Sequence, residues 1–166
     1  NVAYVHLTLV PYLPFAGEVK TKPTQHSVAA LRQIGISPDL LLCRSDRSLD
    51  DSVRRKIALF GDVPEEAVIS LPDATTIYRV PLVLRDGGAG AALVRTLGLE
   101  AREPDLSAWE AMVGRVERPG RRLRIALVGK YTALQDAYKS IIEAFVHAGA
   151  AEDAGVDIAW VDSDSV

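Results

Sequence analysis

The chain has 166 residues, of which 48% are apolar and 25% are charged, and its formal net charge is −3. This composition is typical of an ordinary globular protein, and the length suits one domain. The charge offers no basic footprint for nucleic acid or an anionic membrane, so neither is expected as a partner. A single cysteine excludes an internal disulfide framework and suits a reducing compartment.

Short apolar runs alternate with segments of helical periodicity, which predicts βαβ units and a parallel sheet. Strands are predicted at residues 6–10, 40–43, 68–71, 124–128 and 157–161. Helices are predicted at residues 24–34, 48–60, 75–85, 91–97, 106–116 and 136–148. The predicted fold class is therefore α/β, with a doubly wound parallel sheet.

Polar residues beside these segments predict where several helices begin. Ser48 with Asp51 resembles a capping box with Asp in place of Glu, and Ser107 is a plausible cap further along the chain. Asp73 is a candidate N-cap for the helix that follows the third strand. Gly35 is a natural residue to end the first helix.

The stretch GEVKTKPTQ at residues 17–25 is predicted to be the loop between the first strand and the first helix. Lys20 and Lys22 lie two residues apart, and Pro23 stiffens the turn between their polar neighbours. Ammonium groups with hydroxyl and amide donors at a helix N-terminus suit a polyanion such as a triphosphate. On these residues alone, a solvated basic loop without a ligand is an equally good interpretation.

Charged and polar groups also follow the next two predicted strands. Arg44 ends the second strand and can fork onto a phosphate, with Asp46 as the acidic neighbour that holds it. From the residues alone, a structural ion pair is the simpler interpretation. Cys43 ends the same apolar strand and is predicted to be a core residue rather than a nucleophile.

Long runs of this sequence resemble CTP synthase, the glutamine-dependent enzyme family that makes CTP from UTP. The runs are HLTLVPY at 6–12, GEVKTKPTQHSV at 17–28, PDLLLCRSDR at 38–47, KIALF at 56–60, AVISL at 67–71, IALVGKY at 125–131 and DAYKSIIEA at 136–144. They occur in colinear order through nearly the whole chain, and such long runs are more specific than a short motif.

The resemblance implies three parts. Residues 1–99 would be the C-terminal part of the P-loop-type synthase (amidoligase) domain, residues 100–122 a linker with one helix, and residues 123–166 the start of a class I glutaminase α/β domain. We therefore expect the chain to be a fragment of a longer cytoplasmic enzyme.

The resemblance also implies which residues contact nucleotides. The expected UTP and CTP contacts are Lys20, Thr21, Lys22, Pro23, Thr24, Gln25 and Lys56. The expected ATP contacts are Arg44, Pro72, Asp73 and Ala74. Without the resemblance, Lys56 would be read as a solvated helical lysine. Lys139 matches a position linked to communication between the two halves of the enzyme, although a solvated lysine is an equal alternative.

The implied reaction has two stages: ATP phosphorylates the 4-oxygen of UTP, and ammonia from glutamine then displaces the phosphate to give CTP. The implied cofactor is Mg²⁺ with ATP, and its ligands, the phosphate loop and the glutaminase triad are expected outside these residues. The implied partners are UTP, CTP, ATP and glutamine, in a homotetramer. Two alternatives stay open: a non-catalytic nucleotide-binding or assembly fragment, and a related ATP-dependent amide-forming enzyme.

Overall fold

A computed structural model describes residues 1–165 of the chain, without the side chain of residue 165. The chain forms two compact units, Asn1–Pro104 and a second that begins at Asp105. Among the described residues there are seven strands and six α-helices. The strands are β1 Val5–Leu9, β2 Tyr12–Leu13, β3 Glu18–Val19, β4 Leu40–Ser45, β5 Val68–Pro72, β6 Arg121–Gly129 and β7 Ala154–Asp162. The helices are α1 Lys22–Gln33, α2 Asp51–Gly61, α3 Val80–Asp86, α4 Ala89–Leu97, α5 Ser107–Glu117 and α6 Lys139–Glu152.

The first unit is built on a three-stranded parallel sheet in the order β1-β4-β5. Thr8 lies beside Cys43, and Cys43 lies beside Ser70, so the carboxyl ends of all three strands meet at one edge. The α/β prediction is confirmed, and each predicted strand is present with bounds shifted or extended by a few residues. This edge is where open α/β sheets place their ligands.

Helices pack on both faces of this sheet, except along β1, where the face that carries Val5, Leu7 and Leu9 is exposed. Leu41 and Cys43 of β4 pack with Val28 of α1 and Ile57 of α2 in one buried cluster. Their neighbour Leu40 belongs to a second cluster with Ile69 of β5 and with Ala89 and Ala92 of α4. Successive strand residues point to opposite faces, so one apolar run serves two helical layers.

The beginnings of three helices differ from the sequence predictions. Asp50, not Ser48, caps α2, because its carboxylate accepts a hydrogen bond from the Val53 N–H at 2.9 Å. At the start of α5 the capping side chain is that of Asp105 rather than Ser107, because the Ser107 N–H donates to the Asp105 carboxylate at 3.0 Å. The predicted helix at residues 75–85 is a short 3-10 helix capped by Thr76, followed by α3. Asp73 is therefore not the N-cap of that segment.

The second unit holds a two-stranded parallel sheet, β6-β7, against which α5 and α6 pack. The β6 strand begins at Arg121, inside the segment predicted to be a linker. Gly129 ends β6 where the Tyr138 hydroxyl occupies the space that a Cβ atom would need. The Tyr138 ring also lies 5.5 Å from the Trp160 ring of β7, which anchors the segment between β6 and α6.

Within residues 1–165, none of the helices is both long enough and apolar enough to cross a bilayer.

Candidate functional site

The segment 17–25 is part of two ordered elements rather than one open loop. Strands β2 and β3 form an antiparallel hairpin that ends at Val19, and α1 begins at Lys22. Pro23 therefore lies in the first helical turn, where a missing backbone N–H costs nothing. The Lys20 N–H donates to the Pro11 carbonyl at 2.8 Å, which ties this segment to the end of β1.

Two charged side chains form an ion pair beside this hairpin, and a third acts on the pair through its charge. The Lys20 ammonium pairs with the Glu18 carboxylate. This hydrogen bond, with the charges of Lys20 and Lys56, holds the pKa of Glu18 below its ordinary value. Lys56 lies on α2, so the structure brings a helical lysine into the electrostatic neighbourhood of the hairpin. Lys22 is exposed at the first position of α1.

The remaining polar groups of the segment face inward or one another. Thr21 and Thr24 are buried, and the Gln25 side chain donates to the Thr21 hydroxyl at 3.1 Å. The Thr24 hydroxyl donates to the Leu9 carbonyl at 3.2 Å. Among the predicted nucleotide contacts of this segment, Lys20 and Lys22 are the charged residues, and their side chains reach the surface.

The predicted ATP contacts lie together at the edge formed by β4 and β5. The Arg44 guanidinium points both its Nε and Nη2 atoms at the Asp73 carboxylate, each at 3.4 Å. These two residues line a cavity of about 510 Å³ with Pro72, Ala74, Leu7 and Leu71 and with α3 side chains. The Asp73 N–H donates a hydrogen bond to the Ser45 carbonyl at 2.9 Å. The cavity therefore combines apolar walls with one ion pair.

The sequence predicted that Asp46 holds Arg44, and this prediction is wrong. Asp46 pairs with Arg47, whose Nε and Nη2 atoms lie 3.0 Å from the two carboxylate oxygens. The Arg47 guanidinium carbon also lies 3.2 Å from the centre of the Tyr12 ring. This cation–π contact joins the end of β4 to the hairpin.

Cys43 is fully buried, and burial raises the pKa of its thiol to about 12. A thiol that stays protonated is a poor nucleophile, so the interpretation of Cys43 as a core residue agrees with its surroundings. In the second unit, Lys139 pairs with Glu143 at 2.9 Å, and this contact raises the pKa of the Lys139 ammonium.

The described part of the chain, residues 1–165, brings together no group of three His, Cys, Asp or Glu side chains that could hold a metal ion. The expectation that Mg²⁺ binds with ATP through ligands outside these residues stays a prediction.

Sequence reasoning missed the β2-β3 hairpin and the carboxylate that faces the lysines. The hairpin has a signal in the sequence, because the turn residues Pro14 and Gly17 lie between Tyr12–Leu13 and Glu18–Val19. In the structure Gly17 adopts a positive φ of 65°, which glycine accommodates. The contact of Glu18 with Lys20 also has a signal, because residues two apart in an extended segment share one side.

Comparison with known proteins identifies the family of the chain. Residues 1–99 match the family model described as CTP synthase N-terminus. The chain is 58% identical to CTP synthase of Thermomicrobium roseum over 163 residues, which is 98% of this chain and 30% of that protein. It is 52% identical to CTP synthase of Herpetosiphon aurantiacus and 55% identical to that of Methanopyrus kandleri, in both cases over 100% of this chain and 31% of the relative. The chain thus spans about three tenths of the length of these curated relatives.

Proposed function

The chain belongs to the CTP synthase N-terminus family, and from that premise we propose that it carries the pyrimidine nucleotide site and one edge of the ATP site of a glutamine-dependent CTP synthase. In that reaction ATP phosphorylates the 4-oxygen of UTP, and ammonia displaces phosphate to give CTP, ADP and inorganic phosphate. The observation that carries the proposal is the Lys20–Glu18 ion pair beside the start of α1, with Lys56 on α2 near enough for its charge to act on Glu18.

In this proposal the lysines bind the triphosphate of UTP. Lys20 and Lys56 come from separate elements, and Lys22 adds a third ammonium group at the positive end of α1. An incoming phosphate competes with the Glu18 carboxylate for Lys20. Because CTP carries the same triphosphate as UTP, the same lysines serve substrate binding and product inhibition.

The cavity beside Arg44 and Asp73 is proposed to receive ATP. Its apolar lining by Leu7, Leu71 and α3 suits the face of a purine base, and the ion pair supplies polar groups at its border. The cavity lies at the carboxyl ends of β4 and β5, next to the end of β1. In this proposal the two nucleotide sites share one edge of the sheet, so that ATP and UTP can react with each other.

The second unit is proposed to be the start of the glutaminase domain that supplies ammonia. The family model ends at residue 99, but the similarity to whole CTP synthases continues through the remaining residues. A parallel β6-β7 pair with α6 between the strands is compatible with the opening βαβ unit of an α/β domain.

We also propose that the intact enzyme is a homotetramer in the cytoplasm. Two apolar side chains of the first unit support an interface: Phe15 at the hairpin tip is 88% exposed, and Leu59 on α2 is 77% exposed. Light scattering of the intact enzyme measures its oligomeric state, and a monomer that is active at all concentrations would contradict this assembly.

The lysine site is tested by Lys20→Ala, Lys22→Ala and Lys56→Ala in the intact enzyme that contains this chain. Each variant is expected to weaken UTP saturation and CTP inhibition on the order of tenfold to a hundredfold, because each loses a charged contact to one ligand. The effects should be non-additive because the lysines share that ligand. Apparent affinity for glutamine should change much less.

The matched control is Arg55→Ala, which removes the exposed cation next to Lys56 on α2. It is expected to leave both nucleotide responses unchanged. Wild-type responses to UTP and CTP in all three lysine variants would show that residues 17–25 form a solvated basic segment, and the proposed site would be wrong.

A further inference from the structure

The face of strand β1 that packs against α1 carries polar side chains. In a buried strand this face would ordinarily carry apolar side chains. His6 and Thr8 lie on this face, and the alternate residues Val5, Leu7 and Leu9 lie on the exposed face. Buried polar groups are costly unless they are hydrogen-bonded, so this inversion needs a partner on α1.

Helix α1 supplies that partner at two levels. His6 Nε2 lies 2.8 Å from Ser27 Oγ, and the Thr8 hydroxyl donates to Thr24 Oγ1 at 3.2 Å. Thr24 and Ser27 are three residues apart and so share one face of the helix, as His6 and Thr8 share one face of the strand. We call these four residues the β1-α1 ladder.

Thr24 is the central member of the ladder. Its side chain is 1% exposed, and its hydroxyl both accepts from Thr8 and donates to the Leu9 carbonyl. The Thr8 side chain is also buried, at 7% exposure. Both hydrogen-bonding functions of the Thr24 hydroxyl are therefore used inside the helix–sheet interface.

The ladder controls where α1 begins relative to the edge of the sheet. Lys22 is the first residue of α1, two residues before Thr24, and Lys20 is fixed by its own N–H bond to Pro11. The two hydrogen bonds of the ladder depend on distance and angle, so they restrict the position of α1 on β1. A small displacement of α1 would move Lys22 relative to Lys20 and Lys56.

We propose that Thr24 is a positioning residue: through Thr8 and the Leu9 carbonyl it sets the height of the α1 N-terminus, so that Lys20, Lys22 and Lys56 converge on one triphosphate. This inference rests on the proposed function. It assigns Thr24 an indirect role in nucleotide affinity, together with Thr8, which no sequence motif singled out.

The test compares Thr24→Val, which keeps the shape and removes the hydroxyl, with Thr24→Ser, which keeps the hydroxyl. In the intact enzyme, Thr24→Val is expected to raise the UTP and CTP concentrations for half-saturation and half-inhibition about threefold to tenfold, as loss of one hydrogen bond predicts. Thr24→Ser should restore most of that loss. Half-saturation by ATP and by glutamine should stay at the wild-type values.

A double-mutant cycle tests the bond itself. As a single change, Thr8→Val should weaken UTP binding. In the Thr24→Val background it should add little further loss, because both changes break the same contact. The matched control is Val28→Ala, which creates a cavity at a buried position one turn further along α1. It should lower the melting temperature without changing the UTP response.

The outcomes separate this inference from the proposed function. If Lys20→Ala weakens UTP binding but Thr24→Val and Thr24→Ser both behave as wild type, the positioning role is wrong and the lysine site stands. If Val28→Ala shifts the UTP response as much as Thr24→Val, the ladder is only a source of stability, and the inference is also wrong. If Lys20→Ala also leaves UTP binding unchanged, the proposed lysine site itself is wrong, and the positioning role loses its basis.

Discussion

Arg44 and Asp73 lie at the ends of neighbouring parallel strands and form an ion pair across them, with both guanidinium contacts at 3.4 Å. Both side chains are more than half exposed, so the pair contributes little to the stability of the fold. The pair borders the cavity proposed for ATP, so loss of either charge changes the polar groups that a bound nucleotide can contact. Its expected effect is therefore on ligand binding rather than on folding.

Arg44→Ala in the intact enzyme is expected to raise the ATP concentration for half-saturation on the order of tenfold, through loss of a charged donor at the cavity border. Half-saturation by UTP should change much less, because the lysines lie on other elements. The measurement is ATP saturation at fixed UTP, together with the melting temperature.

Arg47→Ala is the matched control for this prediction. It removes an arginine from the same segment, but one that contacts Tyr12 and Asp46 rather than lining the cavity. A larger effect on ATP saturation from Arg47→Ala than from Arg44→Ala would place the ATP contact elsewhere on this edge.

Cys43 is expected to be dispensable for glutamine hydrolysis and unreactive in the folded enzyme. Cys43→Ser should retain glutaminase activity, measured as glutamate release. In the wild-type enzyme, iodoacetamide at pH 8 should leave the peptide that contains Cys43 unlabelled until urea unfolds the chain. Labelling of that peptide under native conditions, or loss of glutamine hydrolysis in a folded variant, would contradict the assignment.

The buried thiol also predicts a pH dependence of stability. Its pKa is about 12 in the fold, against an ordinary value of 9.0, so only the unfolded chain ionises between these two pH values. Ionisation stabilises the unfolded state, so stability falls by about 1.4 kcal/mol per pH unit in this window from this group. Below pH 9 the contribution should be constant, and Cys43→Ala should remove the dependence, as measured by urea unfolding.

Lys139→Ala in the intact enzyme is expected to leave ammonia-dependent CTP formation nearly unchanged and to weaken glutamine-dependent formation several-fold. The reason is its place on α6 in the second unit, which is proposed to belong to the glutaminase domain. Both rates are measured at saturating UTP and ATP.

Glu143→Gln is the control, because it removes the carboxylate that pairs with Lys139 but keeps the lysine. If Glu143→Gln reproduces the loss, Lys139 acts through the helical ion pair. Equal losses with ammonia and glutamine in Lys139→Ala would contradict a role in coupling the two halves.

Apart from the β2-β3 hairpin and the 3-10 helix before α3, the order and type of the elements could be predicted from the sequence. Apolar runs such as residues 40–43 and the helical periodicity between them depend on neighbours along the chain, and burial of those faces gives one α/β solution. Helix ends were less predictable: Ser48 and Asp50 are both good N-caps, and only the path of the chain out of β4 decides that the Asp50 carboxylate reaches Val53.

Long colinear runs are enough to identify the family, and the lysines among them are the residue type that a triphosphate site needs. The pairing of Glu18 with Lys20 also follows from their separation of two residues. The packing of the elements sets the other contacts: Arg44 pairs with Asp73 instead of Asp46, and Thr24 faces inward onto Thr8. Each of these two contacts joins groups on different elements, so its distance depends on how strands and helices pack rather than on spacing along the chain.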